Sequence, residues 1–202
     1  MRFKSEQKKW QCWYNNLYQR FAYDVRSLGW RSYDRQQQRF LEVLEKSGLS
    51  TEKEVLDFGC GFADFYDFLW QHFAIKPRYT GVDLNLSFIE EARRIYPGVF
   101  VIHDDILNVS CKADYVFMLG VLNHRMSQQF DYFQTYVKHG LRCCQDTLVV
   151  TVLSDAEKCQ NLKHFYYYKK NELEECLSLL VMSGYHIHPG PFKNEWILII
   201  KK

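Results

Sequence analysis

The residues with the clearest chemical content lie between Val55 and Asp64, in the stretch VLDFGCGFAD. An apolar run ends in Asp57, and Gly59 and Gly61 then alternate with other residues before a helix-forming segment. Glycine at the first position permits a tight turn, and at the second it lets the backbone approach a ligand closely. A second apolar run ends in Asp83, about 20 residues further on, where a strand-end carboxylate can accept hydrogen bonds from two ribose hydroxyls. Loop and acid together predict a nucleoside-type ligand, with Gly59, Gly61 and Asp83 in contact with it. Asp57 either orients the loop through backbone N–H groups or meets a cationic group of the ligand. Phe62 lies in the loop itself and is counted among the contacts.

The next question is which nucleoside. A dinucleotide fingerprint wants a third glycine where this chain has Asp64. A carboxylate there would repel a pyrophosphate and would itself occupy the positive end of the helix dipole. No lysine followed by Ser or Thr closes the loop, so a Walker-type phosphate loop is excluded. The pattern suits a nucleoside without phosphates and with positive charge elsewhere, as in S-adenosylmethionine (SAM).

These residues need strand–turn–helix units to hold them. Glu54–Phe58, Tyr79–Leu84, Val99–His103, Asp114–Leu119 and Asp146–Leu153 read as strands. They alternate with helical patterns over Ala63–Phe73, Ser87–Tyr96 and Met126–Leu141, the second opened by a capping box from Ser87 to Glu90. Ser32–Lys46 reads as a helix ended by Gly48, and Glu6–Val25 as one or two helices. A helix over Asn171–Met182 and strands Tyr185–His188 and Glu195–Ile200 complete the chain. Alternation implies right-handed crossovers and a mostly parallel sheet. The loop PGPFKN is too short for a crossover, so the last two strands must be antiparallel.

The motifs resemble those of class I SAM-dependent methyltransferases from Val55 to about His124. VLDFGCGFA resembles that family's first motif, with Ala63 in place of its third glycine, and GVDLN the second, with Asp83 on the ribose and Leu84 beside it. HDDIL resembles the third, which implies Asp105 on the adenine amino group and the Ile106 backbone on the ring. DYVFMLGVLNH resembles the fourth, which brings Leu119 and Gly120 beside the methionine part and the acceptor. LGWRSYDRQQQRFLEVLE resembles the start of a group of small, largely uncharacterised bacterial methyltransferases. That narrower likeness implies that Trp30, Gln36 and Arg39 close over the cofactor, Arg39 near its carboxylate. The expected fold is α/β, a Rossmann-like, doubly wound, mostly parallel seven-stranded sheet with an antiparallel C-terminal strand. Residues 1–50 are expected to form a helical cap and 51–202 the SAM-binding core of one methyltransferase domain.

Composition narrows the partners. The 202 residues are 47% hydrophobic and 25% charged, enough for a core. A net charge of +2 with interspersed signs leaves no footprint for nucleic acid. No apolar run approaches a membrane span, and the start is too polar for a signal peptide, so a cytoplasmic protein is expected. The seven cysteines form no CxxC pair, which argues for reduced thiols and against structural zinc. His186 and His188 share a strand face but lack a third ligand, so no metal is expected. His124 follows the fourth strand, and its unperturbed pKa suits a general base; the competing reading is a structural hydrogen bond. FYYYKK, Phe165–Lys170, walls either the acceptor pocket or a packed edge. The function expected is methyl transfer to a small-molecule acceptor by in-line displacement. The alternatives are a non-catalytic module that binds SAM or S-adenosylhomocysteine (SAH), a protein or RNA methyltransferase, and a nicotinamide oxidoreductase, which Asp64 disfavours.

A ligand at about 100 times its dissociation constant stabilises the folded state by about 2.7 kcal/mol, and each kcal/mol moves the melting point of such a domain by roughly 2–4 °C. SAM or SAH should therefore raise it by roughly 5–11 °C, while NADH and ATP leave it nearly unmoved. A larger shift with NADH would overturn the assignment.

Overall fold

The computed structural model describes residues 3–73, 76–155, 163–180 and 184–202. Helix α1 (Lys4–Phe21) is followed by a 3-10 turn, Val25–Leu28, and helix α2 (Tyr33–Ser47). Ala22 at φ 51° breaks the backbone between α1 and the turn, so the amino-terminal pattern resolves into one long helix and a short turn. The Ser32 side chain accepts a hydrogen bond from Arg35 N to cap α2, and Gly48, left-handed at φ 67°, ends it.

The alternation then runs β1 (Glu54–Phe58), α3 (Asp64–His72), β2 (Arg78–Asp83), α4 (Leu86–Ile95), β3 (Val101–His103), β4 (Ala113–Leu119), α5 (Gln129–Cys143) and β5 (Cys144–Leu153). Helix α6 (Lys170–Leu180) leads to β6 (Tyr185–Pro189) and β7 (Glu195–Lys201). The strands form one seven-stranded sheet in the order β3-β2-β1-β4-β5-β7-β6. β1 pairs parallel with β2 and β4, and β7 runs antiparallel to both β5 and β6. The order reverses at β1, which opens the ligand crevice of a doubly wound sheet at its carboxyl end.

Both faces of the sheet are covered, which is why its strands read as nearly continuous apolar runs. Leu56, Phe58, Val116, Met118, Leu148 and Val150 pack against α5 and α6. Val55, Phe117, Val149, Ile197 and Ile199 face α2, α3 and α4. Four of the six described cysteines are buried thiols.

The starts of α4 and α5 differ from the expected ones because a nearer side chain captures the orphan N–H in each. Helix α4 is capped by Asn85, whose side chain accepts from Ser87 N at 3.0 Å, so the expected Ser87–Glu90 box does not open it. Gln129 Oε1 accepts from Met126 N at 2.9 Å, which holds 126–128 outside α5. The end of the expected helix at Met182 lies outside the described residues.

Tyr168 ties the core to the strand ends. It is fully buried; its hydroxyl donates to Leu122 O at 2.9 Å and accepts from Gln129 Nε2 at 2.6 Å. Tyr168→Phe should strand both partners and lower stability by about 1–3 kcal/mol. Urea denaturation would read this as a lower midpoint at unchanged slope; an unchanged midpoint would mean the hydroxyl is not needed.

Candidate active site

A cavity of about 270 Å³ opens at the carboxyl ends of the central strands. Its floor is the loop between β1 and α3. Gly59 has φ 81° and Gly61 φ 55°; a side chain on Gly59 would collide with Val121, and one on Gly61 would come within 2.8 Å of Leu28. Both positions therefore require glycine for backbone geometry and for space. Asp83 holds the loop down: Oδ2 accepts from Gly61 N at 2.9 Å and Oδ1 from Asn85 N at 2.8 Å. Asp83, read from the sequence as a ligand contact, is half-buried and already structural in the free protein, and burial pushes its pKa up against the pull of these bonds.

Asp57 is buried beneath the loop and accepts from the Tyr79 hydroxyl at 2.6 Å. Burial carries its pKa up to about 7; the Tyr79 bond opposes this, and the Asp83 charge adds to it. The folded state thus holds a proton between about pH 4 and pH 7 that the unfolded chain has lost. On this group's account stability falls as pH rises through that window, and a cation beside Asp57 would relieve the strain. Asp64, in the first turn of α3, accepts from Gln36 Nε2 at 2.9 Å and from the Tyr23 hydroxyl at 3.2 Å, and it too is buried with a raised pKa. Phe62 does not line this cavity. It is fully buried among Tyr18, Tyr23 and Phe88, because the left-handed turn directs it away from the crevice.

At the far end, Asp105 caps a 3-10 turn, Ile106–Asn108, through Leu107 N at 3.0 Å. Its second oxygen accepts from Gln7 Nε2 at 3.1 Å, and Leu84 O accepts from Gln11 Nε2 at 2.9 Å. Helix α1 therefore lies over the groups assigned to adenine and ribose. Sequence reasoning missed Gln7 and Gln11, whose only signal was their four-residue spacing on one helix face.

At the other end, the expected lid residues Trp30, Gln36 and Arg39 all line the cavity. Arg39 is not free: its Nε donates to Glu195 Oε2 at 2.7 Å, a second guanidinium nitrogen meets Oε1, and the group lies 4.5 Å over the Trp30 ring. Burial, then repulsion from Arg35 and Arg31, brings its pKa down to about 9. Arg35 Nε and Gln36 Oε1 are buried in the same wall without partners. One is an orphan donor and the other an orphan acceptor, which is the pair of groups that an amino-acid carboxylate and ammonium would satisfy.

Between the two ends, His124 follows β4 and is buried. Its Nε2 lies 2.9 Å from the Tyr14 hydroxyl, and the Trp10 indole stacks on its ring at 4.1 Å. Burial depresses its pKa to about 3, so it is neutral near pH 7. Burial also pushes the Tyr14 pKa up. Phe165 and Tyr167 line the cavity, while Tyr168 joins the core. Leu119, Gly120 and Ile106 also face the cavity. His186 and His188 sit on β6, with ring centroids 5.9 Å apart. No group of three or more candidate metal ligands occurs among the described residues.

Residues 55–142 match a family model described as a methyltransferase domain. The SAH-bound magnesium protoporphyrin IX methyltransferase ChlM of Synechocystis PCC 6803 superposes with a TM-score of 0.65 at 17% identity, covering 83% of each chain. A DhpI–SAH complex gives 0.66 at 16% identity, covering 94% of this chain and 93% of that one. The [4+2]-cyclase SpnF gives 0.58 at 19% identity, over 75% of this chain and 57% of that one. No curated protein matches the sequence. The chain shares the fold of these solved structures, and residues 55–142 are similar to the methyltransferase-domain model. Among the described residues, no helix is long and apolar enough to cross a membrane.

Because Asp83 anchors the loop before any ligand arrives, Asp83→Ala should lower the melting point of the free protein as well as removing the SAH shift. Two charge-assisted bonds are lost, each worth about 1.5–3 kcal/mol in the absence of rearrangement. A variant with wild-type thermal stability but no SAH shift would show that Asp83 serves the ligand alone.

Proposed function

We propose that this protein transfers the methyl group of SAM to a small-molecule acceptor. The observation that carries the reading is the pairing of two features in one cavity. One is a glycine loop clasped by Asp83, with orphan polar groups at Arg35 and Gln36. The other is the neutral, aromatic-walled Tyr14–His124 pair at the end of β4. The SAH-bound relatives support the choice of cofactor. The cyclase with the same fold shows that fold alone does not assign the reaction, so the site must.

In this reading Asp83 accepts from the ribose hydroxyls and Asp105 from the adenine amino group. Asp57, Asp64 and Gln36 face the ammonium, and Arg35 faces the carboxylate. Arg39, committed to Glu195, shapes that wall instead of binding directly. When bound, SAM supplies an electrophilic methyl on a sulfonium whose positive charge disappears as the methyl leaves. The residues' task is then to align the acceptor, exclude water and take a proton where the acceptor must lose one. Tyr14 is placed to relay that proton: its oxygen receives it from the acceptor while its own passes to His124 Nε2. A proton on buried His124 is costly in the free protein. It becomes affordable in the complex because the cavity's net charge is the same before and after transfer.

The test is methyl transfer from labelled SAM to metabolite fractions, first as a single turnover. His124→Ala should lower the rate by about 10²–10⁴ with SAM affinity little changed, and Tyr14→Phe should follow it. The wild-type rate should be flat between about pH 5 and pH 8 on His124's account, since it is already unprotonated there. A loss of only a few-fold would make the pair a positioning device. No transfer to any fraction, with SAH still bound, would favour a non-catalytic binding module.

A further inference from the structure

Arg31, Arg35 and Arg39 recur at four-residue intervals, and all three line the cavity. Glu195, itself buried, neutralises Arg39. Among the described residues, no carboxylate pairs with Arg31 or Arg35 within ion-pair distance. Arg35 lies 3.6 Å over the Phe192 ring, with its Nε buried and unpartnered. Arg39 feels both neighbours, since after burial they are the charges that bring its pKa down to about 9. Three guanidiniums turned toward one cavity repel one another, and an anion entering among them removes the repulsion. Glu195 answers one of them, and the cofactor's carboxylate a second. The third has no counter-charge.

We propose that the acceptor is a carboxylic acid, whose carboxylate is held by Arg31 beside Asn194. This rests on the methyltransferase reading and narrows it to a class of acceptor. The arginine wall adjoins the reacting region: the Arg39 guanidinium stacks on Trp30, and a Cβ on Gly120 would lie 3.8 Å from the far edge of that indole. A planar guanidinium receives a carboxylate through two parallel N–H···O bonds, which orients as well as binds it. One uncompensated guanidinium matches a single negative charge. A phosphate dianion would bring a second charge toward Glu195 and Asp64, both buried in the same wall. The opposite wall, Trp10, Phe165 and Tyr167, carries no charge and suits the apolar body of such an acid.

The test uses the full chain saturated with SAH, so that the cofactor's own carboxylate position is filled. It is titrated calorimetrically with aromatic monocarboxylates, each paired with its primary amide, beginning with 4-hydroxybenzoate and 4-hydroxybenzamide. Acids should bind at least about tenfold tighter than their amides, the scale of one charge-assisted contact. Arg31→Gln should reduce that preference to within a few-fold while leaving the SAH shift intact, because Arg31 is exposed at the cavity mouth. Arg35→Gln should weaken SAH and, once SAH is saturating, leave the acid preference within a few-fold of wild type. Equal binding of acid and amide, or no binding by either while SAH binds, overturns the proposal. Competition by inorganic phosphate as strong as by the acids overturns the carboxylate assignment. Failure of SAH itself to bind overturns the cofactor reading underneath.

Discussion

The site depends on one carboxylate and two backbone N–H groups. Asp83 sits at the end of β2 and holds Gly61 N on one oxygen and Asn85 N on the other. The first bond pins the glycine loop in a conformation that only glycine adopts without strain, and the second starts helix α4. The loop is held from below as well, since Gly59 N and Cys60 N both donate to Val82 O, one residue before Asp83. The end of β2 therefore organises the turn after β1. This is a consequence of parallel pairing, which sets Phe58 opposite Val82 and brings the two strand ends level. One side chain thus both fixes the loop and lines the cavity.

A second constraint is electrostatic. The cavity is lined by the acids Asp57, Asp64, Asp83 and Asp105 and by the arginines Arg31, Arg35 and Arg39. In the free protein neither is at ease: burial raises the pKa of Asp57, Asp64 and Asp83 and lowers that of Arg39. Such perturbed groups cluster where a charged ligand is to complete the balance. A zwitterionic amino-acid tail, with its ammonium near the acids and its carboxylate near the arginines, is matched in both signs. A polyphosphate is matched in neither place that the glycine loop makes available.

The third element is the cover. Helix α1 buries none of its residues fully. It is fastened largely by side-chain bonds, Gln7 to Asp105, Gln11 to Leu84, Tyr14 to His124, Asn15 to Asn85 and Tyr18 to Glu91. Each contributes only about 0.5–1.5 kcal/mol net, because water replaces the partner when the bond opens. Except for Tyr18 to Glu91, these bonds end on Asp105, Leu84, His124 and Asn85, all of which line the cavity. Trp10 adds an apolar seal by stacking on His124.

The sequence by itself determined the sheet and the glycine loop at its carboxyl edge. Strand ends at Asp57 and Asp83, the paired glycines and the short PGPFKN connection are local signals with local physical causes, and the order of elements follows from them. Asp64 at the start of α3 is likewise read from the sequence as a residue that disfavours a phosphate there. Local signals failed where a side chain's partner lies far along the chain. Asp83 read as a free ligand-binding acid, because nothing nearby reveals that Gly61 and Asn85 already occupy it. Arg39 read as a cofactor contact, although Glu195, far along the chain on β7, claims it. Phe62 read as part of the loop surface, whereas its backbone turns it into an aromatic cluster. Tyr14 gave no signal at all until α1 folded across the strand ends and set it against His124. Secondary structure follows from periodicity, which is short-ranged; the charge state and availability of a side chain follow from burial and long-range pairing, which only the tertiary structure decides.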